Sequence, residues 1–155
     1  MPTALLDPGR DDDRHIGERL AAEPIVWLGT VRPDGRPHSV PVWFLWDDPT
    51  VLLFSPSTAQ KVTNIRANPV VSLHLDSAAG GSDIVLADGV AELVDDPTVR
   101  PTHPGFAAKY GPLLSMPSFD DWGAIFAQPV LVTVTRLVGW ISTPEGVRSR
   151  VLVGS

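Results

Sequence analysis

The chain contains no cysteine, which excludes disulfide bonds, thiolate metal sites and a cysteine nucleophile. No apolar stretch approaches the roughly 20 residues that a membrane-spanning helix requires, so we predict no membrane segment. Basic residues are also scarce: 12 Lys and Arg stand against 18 Asp and Glu, for a net charge of −6. This balance argues against a general nucleic-acid-binding protein, which usually carries a basic surplus.

Several catalytic motifs are missing as well. The sequence has neither a G-x-x-x-x-G-K-[ST] loop nor a G-x-G-x-x-G turn after a strand, which removes support for a nucleoside triphosphatase or a Rossmann enzyme. It has no G-x-S-x-G elbow and no H-E-x-x-H, and its four histidines lack metal-ligand spacing, so no metal site is predicted. The N-terminus lacks the apolar region of a signal peptide, and we therefore expect a cytoplasmic protein.

The residues that are present indicate one globular domain rich in β-structure. Hydrophobic residues make up 43% of the 155 positions and charged residues 19%. Sixteen prolines and thirteen glycines cluster between apolar runs, as turns of a β-rich domain require. We expect residues 1–10 to be a flexible N-terminus and residues 11–155 to form a single domain.

The periodicity of the apolar residues predicts a helix over residues 11–24, ended by Pro24, and then six or so strands. The predicted strands are 25–31, 38–48, 50–56, 70–76, 83–96 and 129–143. The further predicted helices are 57–67, 105–110 and 118–127, and residues 145–155 add at most a short piece. A hairpin turn is predicted at RPDGRP and a β-bulge at Asp88-Gly89. Together these elements predict a mainly β fold with helices, a six-stranded antiparallel barrel with helices at its openings.

Two features of the predicted strand 38–48 point towards a ligand. Pro41 cannot donate a ladder hydrogen bond, so its position must face an edge, a bulge or a ligand. Trp43 and Trp46 would point to opposite faces of a continuous strand. One tryptophan would then lie in the core and the other against a planar ligand or a partner; the alternative is core and dimer interface.

The stretch SPSTAQKVTNIRANP, residues 55–69, raises a similar question. In helical projection Ser57, Lys61, Asn64 and Asn68 share one polar face, and the segment starts with hydroxyl side chains. Free N–H groups at a helix start, with hydroxyls and a lysine one turn later, are typical of a phosphate site. The alternative is a solvated helix with Ser57 as its N-cap.

The order of these segments resembles the pyridoxamine 5′-phosphate oxidase-like superfamily. It is more closely similar to the flavin/deazaflavin-dependent oxidoreductases of split β-barrel, or FMN-binding-like, fold. The resemblance covers about residues 25–95. The positions that carry it are Asp34-Gly35, Pro41-Val42-Trp43, Ser55, Lys61, Asn64 and Asn68-Pro69.

The resemblance implies a six-stranded split β-barrel that forms a homodimer, with two cofactor sites at the interface. The cofactor would be coenzyme F420 or, alternatively, FMN. Its phosphate would lie near Ser55, Ser57, Thr58 and Lys61, with Asn64 adjacent. Its ring would lie on the backbone of Ser39, Val40, Pro41 and Val42. Near the C-terminus, Trp140 is similar to a cofactor-binding tryptophan of the oxidase, and a structural role for it is the alternative.

The expected activity is hydride transfer between reduced F420 and a small organic substrate. The oxidase's arginine-rich phosphate motif is missing, because the sequence reads Ser55-Pro56-Ser57 there, and this favours the deazaflavin branch. The alternatives are an FMN-dependent oxidase or reductase of the same fold, and a non-catalytic flavin- or deazaflavin-binding protein. No catalytic residue or proton donor is predicted, and no nucleic-acid or membrane partner is expected.

Overall fold

A computed structural model describes residues 2–155 as one antiparallel sheet of eight strands with four α-helices. The strands are β1 (Val26–Val31), β2 (Pro37–Val42), β3 (Leu45–Asp47), β4 (Thr50–Ser55), β5 (Val70–Leu75), β6 (Asp83–Leu93), β7 (Gln128–Thr143) and β8 (Gly146–Val153). The helices are α1 (Asp11–Ala22), α2 (Gln60–Ala67), α3 (Pro104–Tyr110) and α4 (Phe119–Ile125). Of the described helices, none is both long and apolar enough to cross a membrane.

The sheet curls into a half-barrel in the strand order β2-β1-β5-β6-β7-β4-β3. The 16-residue strand β7 organises it, because β6 lies along one of its edges and two strands share the other. β4 pairs with the start of β7, and β8 pairs with its end. The mainly β split-barrel architecture is thus as predicted, but the sheet has eight strands and not six. The two additional strands arise from a break in the predicted strand 38–48 and from the C-terminal segment.

The predicted strand 38–48 is interrupted at Trp43-Phe44, and contacts with α3 cause the break. The backbone N–H of Phe44 donates to the hydroxyl oxygen of Tyr110 over 2.7 Å. The carbonyl of Phe44 accepts from the Tyr110 hydroxyl at 2.9 Å and from Nζ of Lys109 at 3.0 Å. Contacts with α3 therefore replace ladder bonds, and β2 and β3 are separate strands. Since Trp43 and Trp46 do not share a continuous strand, the argument that placed them on opposite faces does not hold.

The hairpin turn and the bulge have the local geometry that the sequence predicts. Gly35 adopts a left-handed φ of 88°, and the N–H of Arg32 donates to the carbonyl of Arg36 over 2.8 Å. The β6–β7 register shifts between Asp88 and Gly89. A Cβ atom at Gly89 would lie 2.7 Å from the carbonyl oxygen of Thr133, so the strands approach too closely there for any other residue.

Two apolar clusters fill the molecule. The larger cluster lies inside the curled sheet and contains Trp46 at its margin. The smaller one is aromatic and lies beneath α3 and α4. In it the Trp43 ring stacks on Tyr110 and on Trp122, with centroid distances of 4.5 and 5.4 Å, and Trp122 stacks on Phe126 at 4.1 Å. The segment that follows β2 is therefore held by stacked rings.

Charged contacts dock α1 on the sheet. Asp13 is fully buried, and its carboxylate accepts from Nε of Arg150 on β8 over 2.6 Å. This hydrogen bond holds the pKa of Asp13 below its ordinary value. The buried Arg19 donates to Asp83 on β6 and to the carbonyl of Asp76. Paired in this way, the buried charges fix the helix against β6 and β8.

The segment before α1, which we expected to be flexible, makes defined contacts among its described residues. The backbone N–H groups of Leu5 and Leu6 donate to the two carboxylate oxygens of Asp48, over 2.8 and 2.9 Å. Both leucine side chains pack against the larger apolar cluster. These contacts tie the segment to the loop between β3 and β4.

Candidate functional site

Helix α2 begins at Gln60, three residues later than the sequence predicted. Ala59 occupies the N-cap position and makes no side-chain capping bond, so the alternative with Ser57 as N-cap is wrong. Ser57 and Thr58 lie instead in the turn that links β4 to the helix, and both are exposed. Their hydroxyl groups are therefore accessible beside the first turn of α2.

Ser55 and Asn64 occupy the interior of the same region. Both are fully buried. The Asn64 side chain donates to Oγ1 of Thr30 on β1 over 2.9 Å and accepts from Nε2 of Gln60 over 2.7 Å. The Ser55 hydroxyl donates to the carbonyl of Pro56 over 3.0 Å. In this arrangement Asn64 joins α2 to β1, and neither side chain reaches the surface that Ser57 and Thr58 share.

Lys61 lies one turn before Asn64, on the same side of α2. It is half-buried, and this burial lowers its pKa. Across from it, His38 on β2 is the cross-strand neighbour of Thr30, to which Asn64 is bonded. The pKa of His38 is lowered chiefly by burial and then by the positive charges of Arg32 and Lys61. Arg32, His38 and Lys61 thus form a basic cluster where α2 meets the β1–β2 hairpin.

Protein carboxylates do not offset this positive charge. Within residues 2–155, Arg32 and Lys61 take part in none of the ion pairs, and no carboxylate raises the pKa of Lys61 or His38. A nearby negative charge would favour the charged forms of these groups. The basic cluster is therefore chemically suited to an external anion, and the exposed hydroxyls of Ser57 and Thr58 add hydrogen-bond donors next to it.

The predicted ring-binding segment lies on the neighbouring strand. In the described part of the chain β2 pairs only with β1 and its other edge is open, and this edge position accommodates Pro41 as expected. Ser39 and Pro41 are exposed, whereas Val40 packs partly against the core and Val42 is buried. The structure thus places residues 39–42 on the strand that also carries His38.

Trp140 lies elsewhere. Ser55 pairs with Gln128 at the start of β7, and Trp140 lies 140 − 128 = 12 residues further along that strand. The residues that surround Trp140 include none of Arg32, His38 and Lys61. Trp140 lines a groove between α1, β6, β7 and β8, with His15 and Asp83.

The sequence interpretation missed two groups of chemical interest. In the sequence His38 stands out only as a candidate metal ligand, because its proximity to Lys61 depends on how the paired strands β1 and β2 pack against α2. His15 and Asp83 are 68 residues apart, yet Nε2 of His15 lies 2.6 Å from the Asp83 carboxylate. Such pairs are set by tertiary packing, and no local motif marks them.

Comparisons with known proteins agree with this fold. The sequence profile of the pyridoxamine 5′-phosphate oxidase family matches residues 13–114, which include β2, α2 and the basic cluster. A solved structure named F420 reductase is 30% identical, with a TM-score of 0.58 over 76% of this chain and 90% of its own. No curated protein matches.

Two more distant structures share the fold. An FAD-binding protein from Mesorhizobium loti is 22% identical, with a TM-score of 0.61 over 81% of this chain and 90% of its own. General Stress Protein 26 from Bacillus anthracis is 20% identical, with a TM-score of 0.63 over 90% of this chain and 96% of its own.

Proposed function

The chain belongs to the pyridoxamine 5′-phosphate oxidase family, and from this premise we propose that it is an oxidoreductase that uses coenzyme F420 for hydride transfer to or from a small organic substrate. The observation that carries the proposal is the basic cluster. Arg32, His38 and Lys61 converge without a carboxylate among the described residues, next to exposed hydroxyls. A phosphate group of the cofactor supplies the missing negative charge.

In this proposal the exposed residues of the site bind the cofactor and the buried residues support them. Lys61 neutralises the phosphate, and the hydroxyls of Ser57 and Thr58 donate hydrogen bonds to it. Ser55 and Asn64 hold the turn and the helix in place from beneath. The backbone of residues 39–42 supports the ring at the open edge of β2. The cofactor supplies the hydride chemistry, and the protein orients it and excludes water.

The choice between cofactors rests on the comparisons and on Ser55-Pro56-Ser57, which stand where the oxidase has its arginine-rich phosphate motif. The sequence identity of 30% to a protein named F420 reductase favours the deazaflavin. FMN is the second candidate, because a structural neighbour at 22% identity is described as FAD-binding. A protein that only binds such a cofactor is the third, since no proton donor is identified at the basic cluster.

We further propose that the active form is a homodimer. Trp140 lines a groove that does not include Lys61, and in this proposal it contacts the cofactor bound by a second copy. The outward face of β8 is apolar, and Val147, Val151 and Val153 are all exposed. A two-fold axis would cover this face and complete both sites. Light scattering of the purified protein at micromolar concentration tests this, and a monomer there would contradict it.

The proposed cofactor site is tested by titration. F420 and FMN are each added to the purified protein, and binding is followed by the change in cofactor fluorescence. We expect Lys61→Ala to weaken the preferred cofactor 10- to 100-fold, since a charge-assisted hydrogen bond contributes about 1.5–3 kcal/mol. Arg66→Ala is the matched control, because Arg66 is exposed on the same helix. Equal effects of the two variants, or no binding of either cofactor, would refute the proposal.

A further inference from the structure

The His38 ring has one nitrogen in each of two environments. Nδ1 is buried and has no hydrogen-bond partner among residues 2–155. The side chain as a whole is only partly buried. Nε2 is not among the buried unpartnered atoms and makes none of the side-chain hydrogen bonds, so part of its surface is accessible to solvent. The two nitrogens therefore differ in what they can bind.

This difference favours one neutral form of the ring. An imidazolium carries a proton on both nitrogens, so it would leave an N–H at Nδ1 buried without an acceptor. It would also add a third positive charge beside Arg32 and Lys61. The neutral tautomer with its proton on Nε2 avoids both penalties, and the lowered pKa of His38 has the same physical origin.

We propose that His38 is a cofactor-binding residue that acts as a neutral donor: its Nε2–H donates a hydrogen bond to the phosphate group of the cofactor, beside Lys61. The proposal rests on the proposed function, because it assigns a further ligand to the same phosphate. His38 would make the site selective for the position of the bound oxygen as well as for its charge. Lys61 attracts any anion, whereas a single directed N–H of a fixed tautomer favours an oxygen at one position.

Two substitutions separate the ring nitrogens. The side-chain amide of His38→Gln lies near the position of Nε2, whereas the shorter amide of His38→Asn lies near that of Nδ1. We expect His38→Gln to bind F420, or FMN if that is preferred, within about threefold of the wild type, and His38→Asn to bind it about tenfold more weakly. A phosphate-free probe, riboflavin or the deazariboflavin core of F420, should bind all three proteins within twofold. Urea midpoints of the variants report whether either change unfolds the hairpin.

Several results would overturn the assignment. His38→Asn could bind the phosphorylated cofactor as tightly as the wild type, or both variants could lose the phosphate-free probe equally, which would indicate a structural residue. Calorimetry in buffers of different ionisation enthalpy tests the tautomer: binding at pH 7.5 should take up no proton through His38, and a proton uptake that His38→Gln abolishes would refute the neutral donor. If Lys61→Ala weakens binding while His38→Asn does not, only this assignment is wrong. If the wild type binds neither cofactor, the proposed function fails with it.

Discussion

The hydroxyl of Tyr110 should be worth about 2 kcal/mol to the folded protein, because it holds the break between β2 and β3. It accepts from the N–H of Phe44 over 2.7 Å, and its proton is directed to the carbonyls of Phe44 and Pro24, each at 2.9 Å. Phe44 is fully buried, so Tyr110→Phe leaves its N–H without a partner. An unsatisfied buried donor costs about 1–3 kcal/mol.

The carbonyl groups add little to this cost. The Phe44 carbonyl retains the bond from Nζ of Lys109 at 3.0 Å, and Pro24 is exposed, so water can bind its carbonyl. The expected loss therefore stays near 2 kcal/mol. For a domain of this size it corresponds to a fall in Tm of about 4–8 °C.

Urea denaturation at a fixed protomer concentration measures the effect, with the five tryptophans as the fluorescence probe. Thr143→Val is the control: it removes an exposed hydroxyl that donates to the carbonyl of Gly146, and it should change the free energy of unfolding by less than about 0.5 kcal/mol. If Tyr110→Phe cost no more than this control, the reasoning that Tyr110 replaces the missing ladder bonds would be refuted.

Three further outcomes follow from the charged and titrating groups. The chain has only two lysines, and acetic anhydride at pH 8 should label both, because burial lowers the pKa of Lys61 and lowers that of Lys109 to about 8. Bound cofactor should protect Lys61 alone from this labelling. Equal protection of both lysines, measured by mass spectrometry, would contradict the proposed site. Arg150→Gln removes the charged partner of the buried Asp13 carboxylate, which keeps the hydrogen bond from the N–H of Asp7, and should lower the free energy of unfolding at pH 7. The wild-type pair contributes above the unfolded pKa of Asp13 and loses its effect as pH falls through the lowered folded pKa, so the cost should shrink by pH 3 in urea melts. Burial raises the pKa of Tyr110, the single tyrosine, to about 12, so it should ionise only near that pH. Its neutral form stabilises the fold below pH 10, and this stabilisation is lost as the pH rises to 12. An absorbance titration of the folded protein with a midpoint at pH 10 would contradict the burial of Tyr110.

Local rules were sufficient for much of the fold. The Pro-Asp-Gly turn and the bulge at Asp88-Gly89 depend on residues close in sequence, and the structure confirms both. The break at Phe44 could not be predicted, because its cause is Tyr110, 66 residues away. Without that partner an apolar run from 38 to 48 reads as one strand.

The C-terminal strand was underestimated for a different reason. β8 alternates regularly, but its arginines lie on the side of α1, where Arg148 and Arg150 pair with Asp12 and Asp13. Its valines point outward. This reverses the usual rule that the apolar side of a strand is buried, so the segment did not resemble a core strand.

Part of the proposed site can be predicted from the local sequence, and part depends on tertiary packing. Lys61 and the hydroxyls of Ser57 and Thr58 stand out in the sequence because they are close together in one polar segment. The burial of Asn64 and the approach of His38 to Lys61 could not be read there, since both depend on how α2 packs on the β1–β2 hairpin.

The prolines of β2 also affect how copies of the protein meet one another. Pro37 and Pro41 have the same parity on the strand, and both lack an N–H. An incoming strand that tried to extend the sheet at the open edge would find donors missing at both positions. The edge at which we propose the cofactor ring binds is thereby a poor template for β-aggregation, so β2 can stay uncovered without the risk that an ordinary exposed edge carries.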